Sequence, residues 1–334
     1  MSTELIYAME LGVKMTGPVI QANAAPRCSG DDLIMAGLGW LTRVHREGRW
    51  IDSDLTGDGS RLWVTACTLA RLGELPSEYI SPTLRQQIEI SLNRLQARAI
   101  TGSGWSCTES GQPDAFTTAW AILALRCHRR AVPHAAIEFL LRCREPNGGF
   151  TSHPYEASPD EHSNPATAEI TVTALRALSM CDRAGGDFVT AHLRNDLSST
   201  PAASSSRFYI CSEILDWESG LAPWPLLNKV SQSAIQFDLG RPYEQALLLR
   251  ILSRLRNQRA WLAAAALKKM QRPDGSWACS PVAAQEGSNG AAPLAVSEAH
   301  ARVLSTVTAL AALAVHESRP GCNDSANGKQ GALP

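Results

Sequence analysis

Four stretches of this chain follow one plan: a helix ends, a glycine-aromatic corner follows, a polar loop intervenes, and a small-residue helix containing Thr-Ala begins. GRWIDSDL precedes VTACTLARL, GSGWSCTE precedes TTAWAILAL, NGGFTSHP precedes TVTALRAL, and DGSWACSP precedes STVTALAAL. Self-similarity at a period of roughly 45 residues marks a helical-repeat architecture, because one helical hairpin cannot bury its apolar face alone and must stack on copies of itself.

Apolar residues at helical spacing, punctuated by Gly and Pro, divide the sequence into six consecutive helix pairs, with no sustained strand-like alternation. First helices are expected near residues 31–46, 84–98, 133–144, 188–197, 225–236 and 258–270. Second helices are expected near 60–75, 114–128, 165–180, 205–217, 243–256 and 298–316. The first member of a pair is the more polar, as in LRQQIEISLNRLQAR, and the second is nearly apolar all round, as in TTAWAILAL. A helix that is apolar on every side must be surrounded, so second helices should form an inner ring and first helices an outer one. The expected fold is all-α, an α/α toroid (α6/α6 barrel) spanning residues 31–316, flanked by an N-terminal extension (1–30) and a polar C-terminal tail (317–334). The inner-helix N-termini then gather at one end of the barrel, where the long loops open.

Bulk properties narrow the function classes. Thirty-one Lys and Arg against 32 Asp and Glu give a net charge of -1, without the basic surplus that nucleic acid or an anionic membrane would select. No apolar run approaches the roughly 20 residues of a membrane span. The opening MSTELIYAMELGVKMTG carries Glu4 and Glu10 in its apolar part and lacks a basic leader. Nine cysteines are scattered, several within expected helices (Cys67, Cys127, Cys143), as reduced buried thiols would be. A cytoplasmic protein is expected, and the sequence allows a homodimer.

Gln271-Arg-Pro-Asp-Gly-Ser-Trp277 fits a Q-x-x-x-G-x-W repeat, and Thr118-Ala-Trp-Ala-Ile-Leu-Ala-Leu125 looks like the inner helix that follows such a corner. In these residues the chain resembles the terpenoid cyclase and protein prenyltransferase β-subunit superfamily, squalene-hopene cyclases included. The resemblance implies the toroid and, for its class II terpene cyclases, an Asp-x-Asp-Asp set just before the Thr-Ala of an inner helix. This chain departs from that set. Asp114-Ala-Phe-Thr117 precedes Thr118-Ala119, Glu169-Ile-Thr-Val172 precedes Thr173-Ala174, and Arg61-Leu-Trp-Val64 precedes Thr65-Ala66. The nearest acidic cluster is Asp52, Asp54 and Asp58 in the first loop. Prenyltransferase β subunits imply zinc held by Asp-x-Cys and a distant His, but no cysteine here has an aspartate two residues before it. No metal and no cofactor is expected.

Carboxyls clustered at the mouth of an apolar barrel repel one another and lose solvation, which raises the pKa of at least one and suits it to donate a proton. Asp54, Asp58, Asp114 and Glu169 are therefore the candidate acids and bases, joined by His162 in the long loop 151–162. For any single acid a structural role comes first, helix capping for Asp114 and turn formation for Asp58, with at least one of the set expected to be functional. Trp63, Phe116, Trp120 and Tyr209 are candidates to line the barrel, where their ring faces suit a substrate with cationic character. Asp52 and Glu244 join them as polar binding candidates. Trp50, Trp105, Phe150 and Trp277 are expected to be structural plugs between hairpins. These features lead to a terpene-cyclase-like enzyme of secondary metabolism that cyclises or isomerises a small, mostly apolar substrate. Prenyl transfer and a non-catalytic toroid that binds a protein or small molecule are the alternatives.

Overall fold

The structure, a computed structural model, describes residues 30–51, 62–107, 111–154, 167–181, 205–217, 241–278 and 298–318. Four outer helices are α1 (Gly30–Val44), α3 (Pro82–Ala97), α5 (His134–Arg142) and α9 (Ala260–Lys269). Six inner helices are α2 (Leu62–Leu72), α4 (Ala115–Cys127), α6 (Ala168–Ser179), α7 (Ser205–Trp217), α8 (Pro242–Arg254) and α10 (Glu298–Glu317). All six inner helices fall where the sequence places them. The outer helices expected at 188–197 and 225–236 lie outside the described residues.

Packing closes the ring. Each inner helix touches two others in the order α2, α4, α6, α7, α8, α10 and back to α2, so α7 stands opposite α2, and α8 opposite α4. The inner helices are buried almost throughout: every residue of α2 from Trp63 to Leu72 is covered, as is α4 from Thr117 to Leu125. Such helices owe their stability to the neighbours that remove them from water, since burial contributes about 25 cal/mol per Å² of apolar surface.

The repeated corner is a set of side-chain and backbone bonds. Three corners fold back in a short antiparallel pairing: His45 with Trp50 (strands β1, His45–Arg46, and β2, Arg49–Trp50), Arg144 with Phe150, and Gln271 with Trp277. Gly275 has φ +91°, and a Cβ there would lie 2.3 Å from the Ala36 carbonyl oxygen of α1, so glycine is required for both conformation and space. The corner aromatics are fully buried. Trp105 Nε1 donates to Leu95 O at 2.7 Å and Trp277 Nε1 to Leu267 O at 2.8 Å, in both cases ten residues back in the outer helix. In three corners the backbone N–H of the aromatic donates to an inner-helix threonine: Trp105 to Thr118 (2.9 Å), Phe150 to Thr171 (3.0 Å) and Trp277 to Thr306 (3.1 Å). Gln271 Nε2 donates to Leu33 O of α1, tying the last corner to the first hairpin.

Those threonine bonds correct the alignment of the repeats. Thr118 matches Thr171 and Thr306, two residues before Thr173-Ala174 and Thr308-Ala309. The Thr-Ala dipeptide misleads because Thr-Val-Thr-Ala offers two threonines, and only the first meets the corner. Asp114 therefore corresponds to Thr167, and Glu169 corresponds to Phe116.

Candidate functional site

The mouth of the ring is built from one repeated helical position. Phe116, Glu169 and Tyr243 are each the second residue of α4, α6 and α8, and each is half-buried although its helix is otherwise covered in this turn and the next. Trp63 occupies the same position in α2 as described. Trp63 and Phe116 meet edge to face with ring centroids 5.4 Å apart, and Phe116 meets Trp120 at 6.4 Å. The expected aromatic wall therefore exists on α2 and α4. Glu244, in the first turn of α8, is buried with Arg241 Nη1 3.5 Å from its carboxylate.

One turn deeper, Cys67, Trp120 and Thr173 follow at i+4 from Trp63, Phe116 and Glu169, and therefore on the same faces. Tyr209 of α7 is buried, and its hydroxyl lies 2.6 Å from that of Thr173, whose Oγ1 also lies 2.6 Å from the Glu169 carbonyl. Burial, reinforced by Glu213 and Tyr243 nearby, holds the Tyr209 phenol well above its usual pKa, so it remains a neutral donor. Burial also raises the Cys67 thiol to about 12, which leaves it protonated and unreactive near neutral pH. Trp120 is 1% exposed and Trp63 6%, yet among the described residues neither buried indole Nε1 has a hydrogen-bond acceptor. A buried donor left unmade costs about 1–3 kcal/mol, so two within one small wall call for an explanation.

Two turns deeper the interior becomes ionic. Arg71, Arg176 and Arg250, on α2, α6 and α8, meet Glu213 of α7 and Glu74, just beyond α2. Glu213 accepts from Arg71 and Arg176, while Glu74 accepts from Arg71 (2.9 Å), Arg176 (2.8 Å) and Arg250 (2.8 Å). Arg250 Nε also donates to Ser212 Oγ at 3.2 Å. Although burial pushes the Glu74 carboxyl up, Arg250, Arg71 and Arg176 outweigh it and hold the group well below its usual range. Arg71 also lies 5.3 Å from the Trp120 ring centroid. The cluster binds the C-terminal halves of four inner helices together across the axis and floors the ring. Its three arginines and Glu74 escaped the sequence reading. The signal was an arginine inside each of the apolar runs VTACTLARL, TVTALRAL and ALLLRIL.

Asp114 caps α4. One carboxylate oxygen accepts from Thr117 N (2.7 Å), the other from Cys107 N (2.9 Å). Burial raises its pKa against the pull of these bonds. Thr167 caps α6 in the same way by accepting from Ile170 N. In the structural register the four residues before the corner-bonded threonine are Asp114-Ala-Phe-Thr117 in one hairpin and Thr167-Ala-Glu-Ile170 in the next. An acid stands first in one set and third in the other. Asp52, Asp54, Asp58 and His162 lie outside the described residues. Among the described residues, no group of three or more His, Cys, Asp or Glu is placed to hold a metal ion, and no helix is long and apolar enough to cross a membrane. Cys127 ends α4 and His128 caps it, with the ring Nε2 2.9 Å from Leu69 O, which is a packing role.

No protein-family model and no curated protein sequence matches the chain. Solved structures do. A protein from Actinoplanes superposes with a TM-score of 0.67 at 19% identity, over 87% of this chain and 100% of that one. The type II terpene cyclase MstE from Scytonema in its apo form gives 0.62 at 18% identity, over 85% and 97%. A variant of MstE in complex with its substrate, geranylgeranyl dihydroxybenzoate, gives 0.62 at 18%, over 85% and 96%. The fold is terpenoid-cyclase-like.

Proposed function

We propose that this protein is a terpene-cyclase-like enzyme of secondary metabolism, in which the ring receives a small, mostly apolar natural-product intermediate and promotes its acid/base cyclisation or isomerisation without metal or cofactor. The observation that carries this reading is the graded interior: half-exposed Phe116, Glu169 and Tyr243 at the mouth, Trp120 and the Thr173–Tyr209 hydroxyl pair below, and an ionic floor. MstE, similar in fold, is a cyclase that takes a prenylated aromatic acid.

Glu169 is the proton donor in this reading. It stands at the same helical level of the mouth as Phe116 and Trp63, whose ring faces would stabilise the positive charge that forms when an alkene takes up a proton. The proton is returned when the cation loses one to a base, so the product is an isomer of the substrate. Tyr209, held neutral and bonded to Thr173, orients an oxygen of the substrate. Asp114 supports the site by setting the start of α4. Asp54, Asp58 and His162 remain candidates for the returning base, with Asp52 and Glu244 contributing to binding.

The test is incubation of the purified protein with geranyl-, farnesyl- and geranylgeranyl-substituted dihydroxybenzoates, followed by chromatography and mass spectrometry. The expected result is a product of unchanged mass and altered retention time, lost in Glu169→Gln and reduced in Asp114→Asn. Unchanged turnover in Glu169→Gln would remove it as the acid.

A further inference from the structure

The face of α2 that carries Trp63, Cys67 and Arg71 looks along the ring axis, because Arg71 reaches from it to Glu213 of α7 on the opposite side. Along this face the side chains keep some accessible surface deep inside the protein: 6% at Trp63, 5% at Cys67 and 2% at Arg71. Val64, Ala66, Thr68, Leu69 and Ala70, on the other faces of the helix, keep none. The opposite wall repeats the pattern, with 7% left at Tyr209 and none at Glu213 one turn deeper. Accessible surface on two facing walls of a closed ring is the lining of a hollow, since close-packed side chains would leave none. The hollow narrows with depth and ends at the ionic floor. Trp63 and Arg71 are eight residues apart in α2, so at about 1.5 Å per residue the mouth and the floor are separated by about 12 Å. An extended hydrocarbon advances about 1.3 Å per carbon, the projection of a C–C bond of about 1.5 Å, which leaves room for about nine carbons in line. A longer chain would have to part Arg71 from Glu213, and separating a buried pair is costly.

We propose that the hollow is a blind pocket whose depth is fixed by the Arg71–Glu213 pair, so that the protein accepts a hydrocarbon chain of two isoprene units and rejects one of three or four. This inference rests on the proposed function, in which a substrate enters the ring, and names the length class of that substrate. Arg71 and Glu213 thereby set specificity as well as holding the inner helices together. Cys67, a small side chain halfway down the wall, keeps the lower part of the pocket open.

The test combines stability without ligand and binding without turnover, both on the full chain. Cys67→Leu adds bulk into the hollow, whereas Thr68→Leu adds it where no accessible surface remains. The first should keep its melting temperature within about 2 °C of wild type, and the second should lose at least about 3 °C through overpacking. Straight-chain alkanols of six to fourteen carbons are then titrated by calorimetry. Wild-type affinity should rise about fourfold per methylene up to about nine or ten carbons and stay level beyond that length. Cys67→Leu should move the break at least two carbons shorter, and Arg71→Ala, which lowers the floor, at least two carbons longer. Should Arg71→Ala fold poorly, the shift in Cys67→Leu decides alone. Equal loss of stability in Cys67→Leu and Thr68→Leu, affinity that climbs without a break, a break that neither variant moves, or no binding of any alkanol would overturn the inference. A break in place with no isomerised product from any prenylated acid would instead leave the inference standing and remove the proposed activity. Turnover of the geranylgeranyl compound as fast as the geranyl one would do the reverse.

Discussion

Arg71, in the last turn of α2, forms an ion pair with Glu213 of α7, the helix that faces it across the inner ring, and the two side chains are 2% and 0% exposed. A pair that spans the ring marks where its axis is filled. It also makes the floor sensitive to which partner is lost, because a buried charge without its counterpart is costly while a matched set is not.

Glu213→Leu removes the carboxylate that Arg71 and Arg176 share and should cost about 3–5 kcal/mol, the usual penalty for breaking a buried pair. Arg71→Met leaves Arg176 on both carboxylates and Arg250 on Glu74, and should cost clearly less. Chemical denaturation of the two variants side by side gives the order. Equal losses would mean that the cluster is not electrostatically coupled.

Acid should weaken the fold through Glu74. Its carboxyl is held below the usual value in the folded chain, so the unfolded chain binds more protons at low pH. The stabilisation is complete above the unfolded pKa of about 4.3 and is lost as pH falls from there through the folded value. Asp114, raised by burial, works the opposite way and loses stability as pH rises through its folded value. Thermal melts should show Glu74→Gln less stable than wild type at pH 7 but with a shallower decline from pH 5 to pH 3.

Two glycines of positive φ make a matched comparison. Gly102 (φ +74°) has no atom within 4 Å of an added Cβ, whereas Gly275 (φ +91°) would place one against the Ala36 carbonyl. Gly102→Ala should cost about 1–2 kcal/mol, the price of the left-handed conformation alone. Gly275→Ala should cost more than that and loosen the seam between the last corner and α1. Melting temperatures, with hydrogen exchange at the Gln271 side chain, separate the two effects.

The threonine that receives the corner N–H should matter, and its neighbour in the Thr-Ala dipeptide should not serve that purpose. Thr306→Val orphans the buried Trp277 N–H and should cost about 1–3 kcal/mol. Thr308→Val, at a buried position that does not receive that N–H, should cost less. A reversed order in urea denaturation would refute the register.

The fold was legible because its cause is local and repeated. Glycine-aromatic corners and all-round apolar helices recur along the chain, and only a ring lets six helices like TTAWAILAL escape water together. The aromatic wall followed from the same pattern, since Trp63, Phe116 and Trp120 stand on the inner helices. The true register did not, because Thr-Val-Thr-Ala is ambiguous until one hydroxyl is seen to accept the Phe150 N–H.

The sequence by itself determined the hairpins, their order and the layer each helix occupies, since periodicity and burial demand act over one or two turns. Only the tertiary structure decided that Arg71 meets Glu213, 142 residues away, and that Arg250 meets Glu74, 176 residues away. Charges so distant in sequence are brought together by closure of the ring, and in its low-dielectric interior each takes the place that water held around the other.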